Sequence, residues 1–166
     1  MHLRPATHTD FPAILELNAA SVAALSPLDA ERLAWLHGMA AVHAVIEADG
    51  EVGAFVLALR EGTSYDSPNY RWFAERYPRF LYVDRIVVDA ALRGRQAGAR
   101  LYAQVFAHAE AAGVPWVTCE FDLDPPNPAS ASFHARFGFQ ELGQHRVAGG
   151  SKQVSLQAAP VAGAVA

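Results

Sequence analysis

A short cationic segment has the residue types that bind anions. From Arg93 to Arg100 the chain places three arginines and two glycines, Gly94 and Gly98, directly before an Ala-rich stretch that favours a helix. A glycine turn at the start of a helix presents backbone N–H groups and the positive end of the helix dipole to one point. Arginine adds a planar, charged donor that suits phosphate. The pattern predicts a phosphate or pyrophosphate site, and its alternative is a tight connection with solvated arginines.

Two familiar phosphate motifs do not fit this segment. A P-loop requires a lysine after its second glycine, and Lys152 is the only lysine in the chain. A dinucleotide fingerprint requires three glycines that open a βαβ unit at the start of the chain. The segment therefore belongs to neither class of nucleotide site.

The segment resembles the acetyl-CoA signature of the GNAT superfamily of N-acetyltransferases. That family's turn follows its fourth strand and reads Gln/Arg-x-x-Gly-x-Gly/Ala. This chain has RGRQAG over residues 93–98, with Gln96 where glycine is usual. Further along, the family has an Asn and then a short helix that ends in Gly-Phe, and here Asn127 precedes a Gly-Phe pair at 138–139. The element order is also similar to the family over nearly the full chain.

The resemblance implies an acetyl-CoA site on this turn and on the end of the fourth strand. In the family, backbone amides of the turn hold the CoA pyrophosphate. Pantetheine lies along the strand end, where a main-chain N–H can polarise the acetyl carbonyl. Because backbone atoms do the binding, Gln96 needs only to adopt the φ and ψ that glycine reaches freely. The implied cofactor residues are Ile86, Val87, Val88, Arg93, Arg95, Gln96, Ala97, Gly98, Ala99, Arg100, Asn127 and His134.

Direct transfer to an amine implies a base that faces the thioester, and two carboxylates are candidates. Asp84 and Glu120 each interrupt an otherwise apolar strand, where a charge is costly unless it is paired or used. Alternation places Asp84 on the same strand face as Ile86 and Val88. For both carboxylates the alternative is a buried structural ion pair, for Asp84 with a neighbouring arginine.

His134 stands where the resemblance implies a proton donor. The family's short helix has a tyrosine at this distance from the Asn, thought to protonate the departing CoA thiolate, and this chain has His134 there. Both the neutral and the protonated imidazole can offer a hydrogen bond to sulfur. The alternative is that His134 flanks two inward-packing rings, Phe133 and Phe137, and points to solvent.

The rest of the chain predicts the elements that position these residues. Thr9 and Asp10 are predicted to cap a first helix, and Ser26 a second. The dipeptide Asp49-Gly50 predicts the turn of a β-hairpin. A strand, the helix after the arginine turn, another strand, a short helix and a hairpin around Gly149-Gly150 follow. The predicted apolar stripe of the first helix is Ile14, Leu15, Ala19 and Val22.

This order predicts a single α/β domain over residues 1–166 with a mixed sheet. The resemblance implies a GNAT-like sheet that is mostly antiparallel and flanked by helices. Residues 61–79 are predicted as a long loop without secondary structure, and such loops are usually functional. Three interpretations of the loop stay open: a cover over an acceptor pocket, a hydrophobic flap, and a dimer interface. Its aromatic residues are Tyr65, Tyr70, Trp72, Phe73 and Tyr77.

Composition indicates a globular domain and disfavours several classes of function. The chain has 166 residues, of which 52% are hydrophobic and 18% charged, as is typical of a compact domain. A formal net charge of −4 gives no reason to expect nucleic acid or a membrane as a partner. The N-terminus lacks an apolar signal core, so the cytoplasm is expected. Cys119 is predicted to be buried and inert, and because the histidines lack metal-ligand spacing no metal is expected.

Together these features predict transfer of an acetyl group from acetyl-CoA to an amine by direct attack in a ternary complex. The acceptor is expected to be a small molecule or a peptide, and a homodimer is one open alternative for assembly. The competing functions are an acyl-CoA-binding module without catalysis and a purely structural α/β domain.

Overall fold

The computed structural model describes residues 1–21 and 25–163. Val22, which was predicted on the stripe of the first helix, and residues 164–166 lie outside the described residues. The strands are β1 His2–Pro5, β2 Val42–Ala48, β3 Glu51–Arg60, β4 Leu81–Val88, β5 Trp116–Asp124, β6 Gln140–Val147 and β7 Lys152–Pro160. The helices are α1 Phe11–Ala20, α2 Ala30–Met39, α3 Pro68–Ala74, α4 Ala97–Ala111 and α5 Pro128–Ala135.

The strands form a mixed sheet in the order β1-β2-β3-β4-β5-β7-β6. Antiparallel pairing joins β1 to β2, β2 to β3, β5 to β7 and β6 to β7. Strand β4 pairs with β5 in parallel, with Leu81 opposite Val117 and Tyr82 opposite Thr118. The predicted α/β class and the mostly antiparallel sheet are therefore confirmed.

The residues cluster in two compact units. The first unit comprises Met1–Leu59 and Val83–His108, and the second comprises Arg60–Tyr82 and Ala109–Ala166. Strand β4 contributes its first two residues to the second unit and the rest to the first unit. The prediction of one domain over residues 1–166 stays a prediction.

The first unit contains the predicted hairpin and two helices, of which α1 begins after the predicted cap Asp10 and α2 begins later than predicted. Asp49 and Gly50 have φ of 54° and 85°, the left-handed conformation that a tight hairpin turn requires. The predicted cap Ser26 is wrong, because α2 begins later and the Asp29 side chain accepts a hydrogen bond from the Arg32 N–H at 2.8 Å. The buried face of α1 differs from the predicted stripe and consists of Phe11, Ile14, Leu17 and Asn18.

Strand β1 was not predicted, and an ion pair ties it to the start of α1. Arg4 of β1 donates to both carboxylate oxygens of Asp10 at 2.8 Å. Asp10 also accepts from the Thr7 N–H at 2.8 Å. The predicted cap Asp10 is the N-cap residue of α1, and Thr7 precedes the 3-10 turn His8–Asp10. The Arg4 guanidinium lowers the pKa of Asp10 to about 2. Four residues are too few to show strand alternation, which is why the sequence pattern missed β1.

In the second unit, the segment that was predicted as a long loop contains a helix and buried aromatic residues. Ser67 caps α3 by accepting from the Tyr70 N–H at 3.4 Å, and Pro68 stands in its first turn. Tyr70 and Phe73 are 2% and 0% exposed. The Tyr70 hydroxyl donates to the Arg60 carbonyl at 2.7 Å and accepts from the Thr63 N–H at 3.1 Å. This segment contains the helix α3, so the prediction of a loop without secondary structure is wrong. Its buried rings are packing residues.

Candidate functional site

The cationic turn of the first unit has the backbone conformation that the sequence implied. Strand β4 ends at Val88, a 3-10 turn covers Ala90–Leu92, and α4 begins at Ala97. Gly94 and Gln96 both have positive φ, 76° and 63°. Gln96 thus adopts the left-handed conformation that glycine reaches without cost and that other residues adopt at a cost of roughly 1–2 kcal/mol.

The backbone amides of this turn divide into two groups. The Arg95 N–H donates to the Leu92 carbonyl at 3.2 Å, and the Arg100 N–H donates to the Gln96 carbonyl at 3.0 Å. These two amides, both among the implied pyrophosphate donors, are therefore already used within the turn. Ala97, Gly98 and Ala99 form the first turn of α4, where N–H groups have no intrahelical acceptor. An anion at this helix start would meet those amides and the helix dipole.

The arginine side chains of the turn are at the surface. Arg93, Arg95 and Arg100 are all exposed, and Arg100 Nη1 donates to the Met1 carbonyl at 3.0 Å. Because the backbone amides of Arg95 and Arg100 are used, these residues could contribute to an anion site only through their guanidinium groups. Exposed guanidinium groups next to a helix start give the turn a positive potential.

Packing against β3 fixes the entrance to the turn. The Asp89 N–H donates to the Gly53 carbonyl at 2.8 Å, and Leu92 is 5% exposed. A Cβ atom at Gly53 would lie 2.6 Å from Leu92 Cδ1, so a larger residue there would displace the Leu92 side chain. Sequence reasoning missed Gly53, although a glycine inside a strand is a recognised signal of close backbone approach.

The candidate base Asp84 is part of a buried polar network in the first unit. Arg85 Nε donates to Asp84 Oδ2 at 2.6 Å, and the two side chains are 3% and 5% exposed. Arg85 Nη1 also donates to Asn18 Oδ1 at 2.8 Å and to the Ser26 carbonyl at 3.3 Å. The structural alternative for Asp84, an ion pair with a neighbouring arginine, is therefore the arrangement observed.

The neighbouring residues of β4 show the expected alternation. Val87 is 4% exposed, whereas Ile86 and Val88 are half-buried. Ile86 and Val88 thus share the more accessible face of β4, as pantetheine contact would require.

The second candidate base, Glu120, lies in the second unit and has a tyrosine partner. The Tyr82 hydroxyl donates to Glu120 Oε1 at 2.9 Å. Tyr82 is fully buried, and Glu120 is half-buried. Because the hydroxyl is uncharged, it can stabilise the ionised carboxylate without neutralising its negative charge.

His134 is the buried residue of α5. The alternative that it points to solvent is wrong, since His134 is 5% exposed. Its ring contacts Phe121, Phe133 and Phe139 at centroid distances of 5.3–5.6 Å. His134 Nδ1 lies 2.7 Å from the Ser130 carbonyl oxygen, which can only accept, so Nδ1 carries the hydrogen. Burial lowers the pKa of His134 below 6.5, opposed by the Ser130 hydrogen bond.

His134 of α5 contacts β5 next to the second candidate base. Its ring lies 5.6 Å from the Phe121 ring, measured between centroids, and Phe121 follows Glu120 in the chain. Asn127, the implied cofactor residue that precedes α5, accepts from the Ser130 N–H at 3.2 Å and caps the helix.

The remaining reactive groups do not add to the site. Cys119 is 2% exposed and reduced. Over residues 1–21 and 25–163, no group of three or more His, Cys, Asp and Glu side chains is arranged to hold a metal ion. Within the same ranges no helix is long and apolar enough to cross a membrane.

Comparison with known proteins identifies a family for this arrangement. Residues 11–139 match the acetyltransferase (GNAT) family. Similar solved structures include the ribosomal-protein-S18-alanine N-acetyltransferase from Escherichia coli, with 18% identity, a TM-score of 0.72, and 96% of this chain and 93% of that chain covered. The ribosomal-protein-alanine N-acetyltransferase from Brucella melitensis has 21% identity, a TM-score of 0.73 and coverages of 96% and 99%.

A third similar structure carries a ligand. It is a putative acetyltransferase from Salmonella typhimurium with its cofactor acetyl-CoA, with 22% identity, a TM-score of 0.73, and 100% of this chain and 96% of that chain covered. No curated protein sequence matches this chain.

Proposed function

Because this chain belongs to the acetyltransferase (GNAT) family, we propose that it transfers the acetyl group of acetyl-CoA directly to an amine acceptor. The observation that carries the proposal is the turn before α4, with Gln96 at φ 63° and the first-turn amides of Ala97, Gly98 and Ala99. These amides and the exposed guanidinium groups fit the pyrophosphate of acetyl-CoA. Acetyl-CoA supplies the activated thioester, and the chain supplies its binding and the proton transfers.

Glu120 is the base in this proposal. Its carboxylate accepts a proton from the acceptor ammonium, and the freed amine nitrogen attacks the thioester carbonyl carbon. The C–N bond forms, the C–S bond breaks, the new amide nitrogen loses its second proton to water, and the thiolate leaves as CoA after protonation. Glu120 is preferred over Asp84 because Asp84 Oδ2 is held by the Arg85 guanidinium at 2.6 Å, whereas Glu120 Oε1 accepts from the neutral Tyr82 hydroxyl.

His134 is proposed to supply the proton to the departing thiolate. Since Nδ1–H is committed to the Ser130 carbonyl, the proton must leave from Nε2, and only the imidazolium form carries one there. A main-chain N–H at the end of β4, near Ile86–Val88, is proposed to stabilise the developing oxyanion.

The acceptor is proposed to be a peptide N-terminus or a small primary amine. Similar folds include N-acetyltransferases that act on ribosomal-protein alanine, which makes an alanine-initiated peptide the first compound to test. The cytoplasmic location and a homodimer stay predictions from the sequence.

Release of CoA in the presence of an acceptor panel tests the proposal. The panel contains an alanine-initiated peptide, free amino acids and a polyamine, and a thiol-reactive chromogenic reagent reports CoA. Cys119 is buried, so the native protein should add little thiol background. We expect release that depends on both enzyme and acceptor. Acetyl-CoA binding without release for every acceptor would contradict the proposal and favour the binding module.

Replacing Gly98 by valine tests the pyrophosphate assignment. A β-branched side chain in the first turn of α4 would obstruct close approach of the anion to the amides. We expect the Kd for acetyl-CoA, measured by calorimetry, to rise by about tenfold or more, or about 1.4 kcal/mol. Gly38→Val is the matched control: Gly38 is an exposed glycine in α2, and a Cβ there meets nothing within 4 Å. Equal affinities in the two variants would exclude the assignment.

A further inference from the structure

We propose that Tyr82 is a positioning residue for Glu120 in amine acetylation. The inference rests on the proposed function, since it concerns the base of that reaction. It adds a residue of β4 that sequence reasoning did not select, and it starts from the hydrogen bond from the Tyr82 hydroxyl to Glu120 Oε1 at 2.9 Å.

The strand register brings the two side chains together. Tyr82 of β4 is opposite Thr118 of β5, and Glu120 lies two residues beyond Thr118. Residues two apart share a strand face, so Thr118 and Glu120 lie on one face of β5. Across β5, Glu120 is opposite Leu156 of β7, which is uncharged. Tyr82 of β4 thus reaches Glu120 with its hydroxyl, while Asp122, two residues further along β5, pairs with Lys152 of β7 at 3.5 Å.

The Tyr82 ring is held by other rings of the second unit. It lies 5.6 Å from the Tyr70 ring, 5.9 Å from Phe73 and 6.3 Å from Tyr65, measured between centroids. Tyr82 itself is 0% exposed. A ring enclosed in this way has few alternative rotamers, so its hydroxyl oxygen is fixed at the Glu120 carboxylate.

A fixed phenol has a defined effect on the carboxylate. An unperturbed tyrosine stays protonated below a pH of about 10, so the hydroxyl donates throughout the neutral range. The bond fills one lone-pair position on Oε1 and orients the carboxyl plane. It also favours the ionised carboxylate over the neutral acid. Tyr82 thereby holds the Glu120 carboxylate in one orientation.

Tyr82→Phe tests this role, with Tyr70→Phe as its matched control. Both tyrosines are buried in one aromatic cluster, and each change removes one hydroxyl. The Tyr70 hydroxyl bonds only backbone groups among its known partners, Arg60 O and Thr63 N. We expect Tyr82→Phe to lower kcat about tenfold or more, to leave the KM for acetyl-CoA unchanged, and to move the acidic limb of the kcat profile to higher pH. Tyr70→Phe should retain the wild-type pH profile.

A measurement without an acceptor provides a second readout. In protein labelled with ¹³C at the glutamate carboxyl carbon, Glu120→Gln identifies the Glu120 signal. We expect its titration midpoint to rise in Tyr82→Phe and to stay unchanged in Tyr70→Phe. In the Glu120→Gln background, Tyr82→Phe should cause no further loss of kcat.

Two results would overturn the proposal in different ways. If Glu120→Gln loses rate but Tyr82→Phe matches Tyr70→Phe in kcat, pH profile and carboxyl titration, Tyr82 has no positioning role and Glu120 remains the base. If Glu120→Gln retains the full rate, Glu120 is not the base, and the role of Tyr82 fails together with that part of the proposed function.

Discussion

The hydrogen bond of one ring nitrogen decides what chemistry His134 can perform. A neutral imidazole has one N–H, and the Ser130 carbonyl at 2.7 Å requires that hydrogen on Nδ1. Nε2 then has a lone pair and is a proton acceptor. A tyrosine at the same position would be a donor over the whole neutral range. If His134 is the proposed acid, proton donation needs its imidazolium form, whereas a tyrosine would donate in its neutral form.

This requirement gives the first prediction for His134. Its pKa is lowered below 6.5 by burial, and an acid must be protonated to act. The rate should therefore fall as the pH rises through that lowered pKa, so the alkaline limb of the kcat profile should lie below pH 6.5. In His134→Tyr the limb should move to higher pH, and His134→Ala should lower kcat without raising the KM for acetyl-CoA. Identical pH profiles for wild type and both variants would remove the acid role.

The turn before α4 has a positive φ at Gln96, and glycine is the residue that adopts this backbone conformation most readily. Gln96→Gly should relieve the cost of a positive φ at this position. We expect the free energy of unfolding to rise by about 1 kcal/mol and Tm by roughly 2–4 °C, with the Kd for acetyl-CoA unchanged because the amides remain. Ala148→Gly is the matched control, since Ala148 also has positive φ, 54°, in the β6–β7 turn. A large loss of acetyl-CoA affinity in Gln96→Gly alone would show that the Gln96 side chain binds.

The sequence correctly predicted those elements whose backbone conformation is determined by neighbouring residues in the chain. Asp49-Gly50 specified the β2–β3 hairpin, because that dipeptide tolerates two positive φ angles. The helix α3 also had such a signal, a Ser67-Pro68 start followed by aromatic residues at helical spacing, but the density of aromatics favoured a loop interpretation. Ser26 was a plausible cap by type, yet Asp29 caps α2 and the Ser26 carbonyl accepts from Asn18 and Arg85.

The parts of the candidate site that could not be predicted are contacts between distant residues. The sequence identified Asp84 and Glu120 as charges inside apolar strands, but their partners decide their chemistry. Arg85 is adjacent to Asp84, whereas Tyr82 and Glu120 are 38 residues apart. Only the strand register makes the second pair neighbours. Sequence patterns report local conformation, and they carry little information on which buried donor meets which acceptor.

We expect a histidine cluster in the first unit to make the stability of the whole molecule depend on pH. His37 Nδ1 and His43 Nδ1 are 2.7 Å apart, so one must donate and the other accept. His43 Nε2 is buried and has no hydrogen-bond partner within residues 1–21 and 25–163. Protonating His43 would bury an unsatisfied N–H near His37. Burial, and then His37, lower the pKa of His43 to about 4, while Asp10 opposes the shift. The His8 ring also contacts His37, with centroids 4.9 Å apart.

The sign of the effect follows from proton linkage. Between pH 6.5 and about 4 the unfolded chain binds a proton at His43 that the folded chain does not, so stability is full above pH 6.5 and is lost as the pH falls towards 4. Replacing His43 by glutamine removes this linkage. We expect the drop in Tm between pH 7 and pH 4 to be smaller in His43→Gln than in wild type by roughly 5 °C or more. His2→Gln, at an exposed histidine, should retain the wild-type drop, and equal drops in all three proteins would exclude His43 as the titrating group.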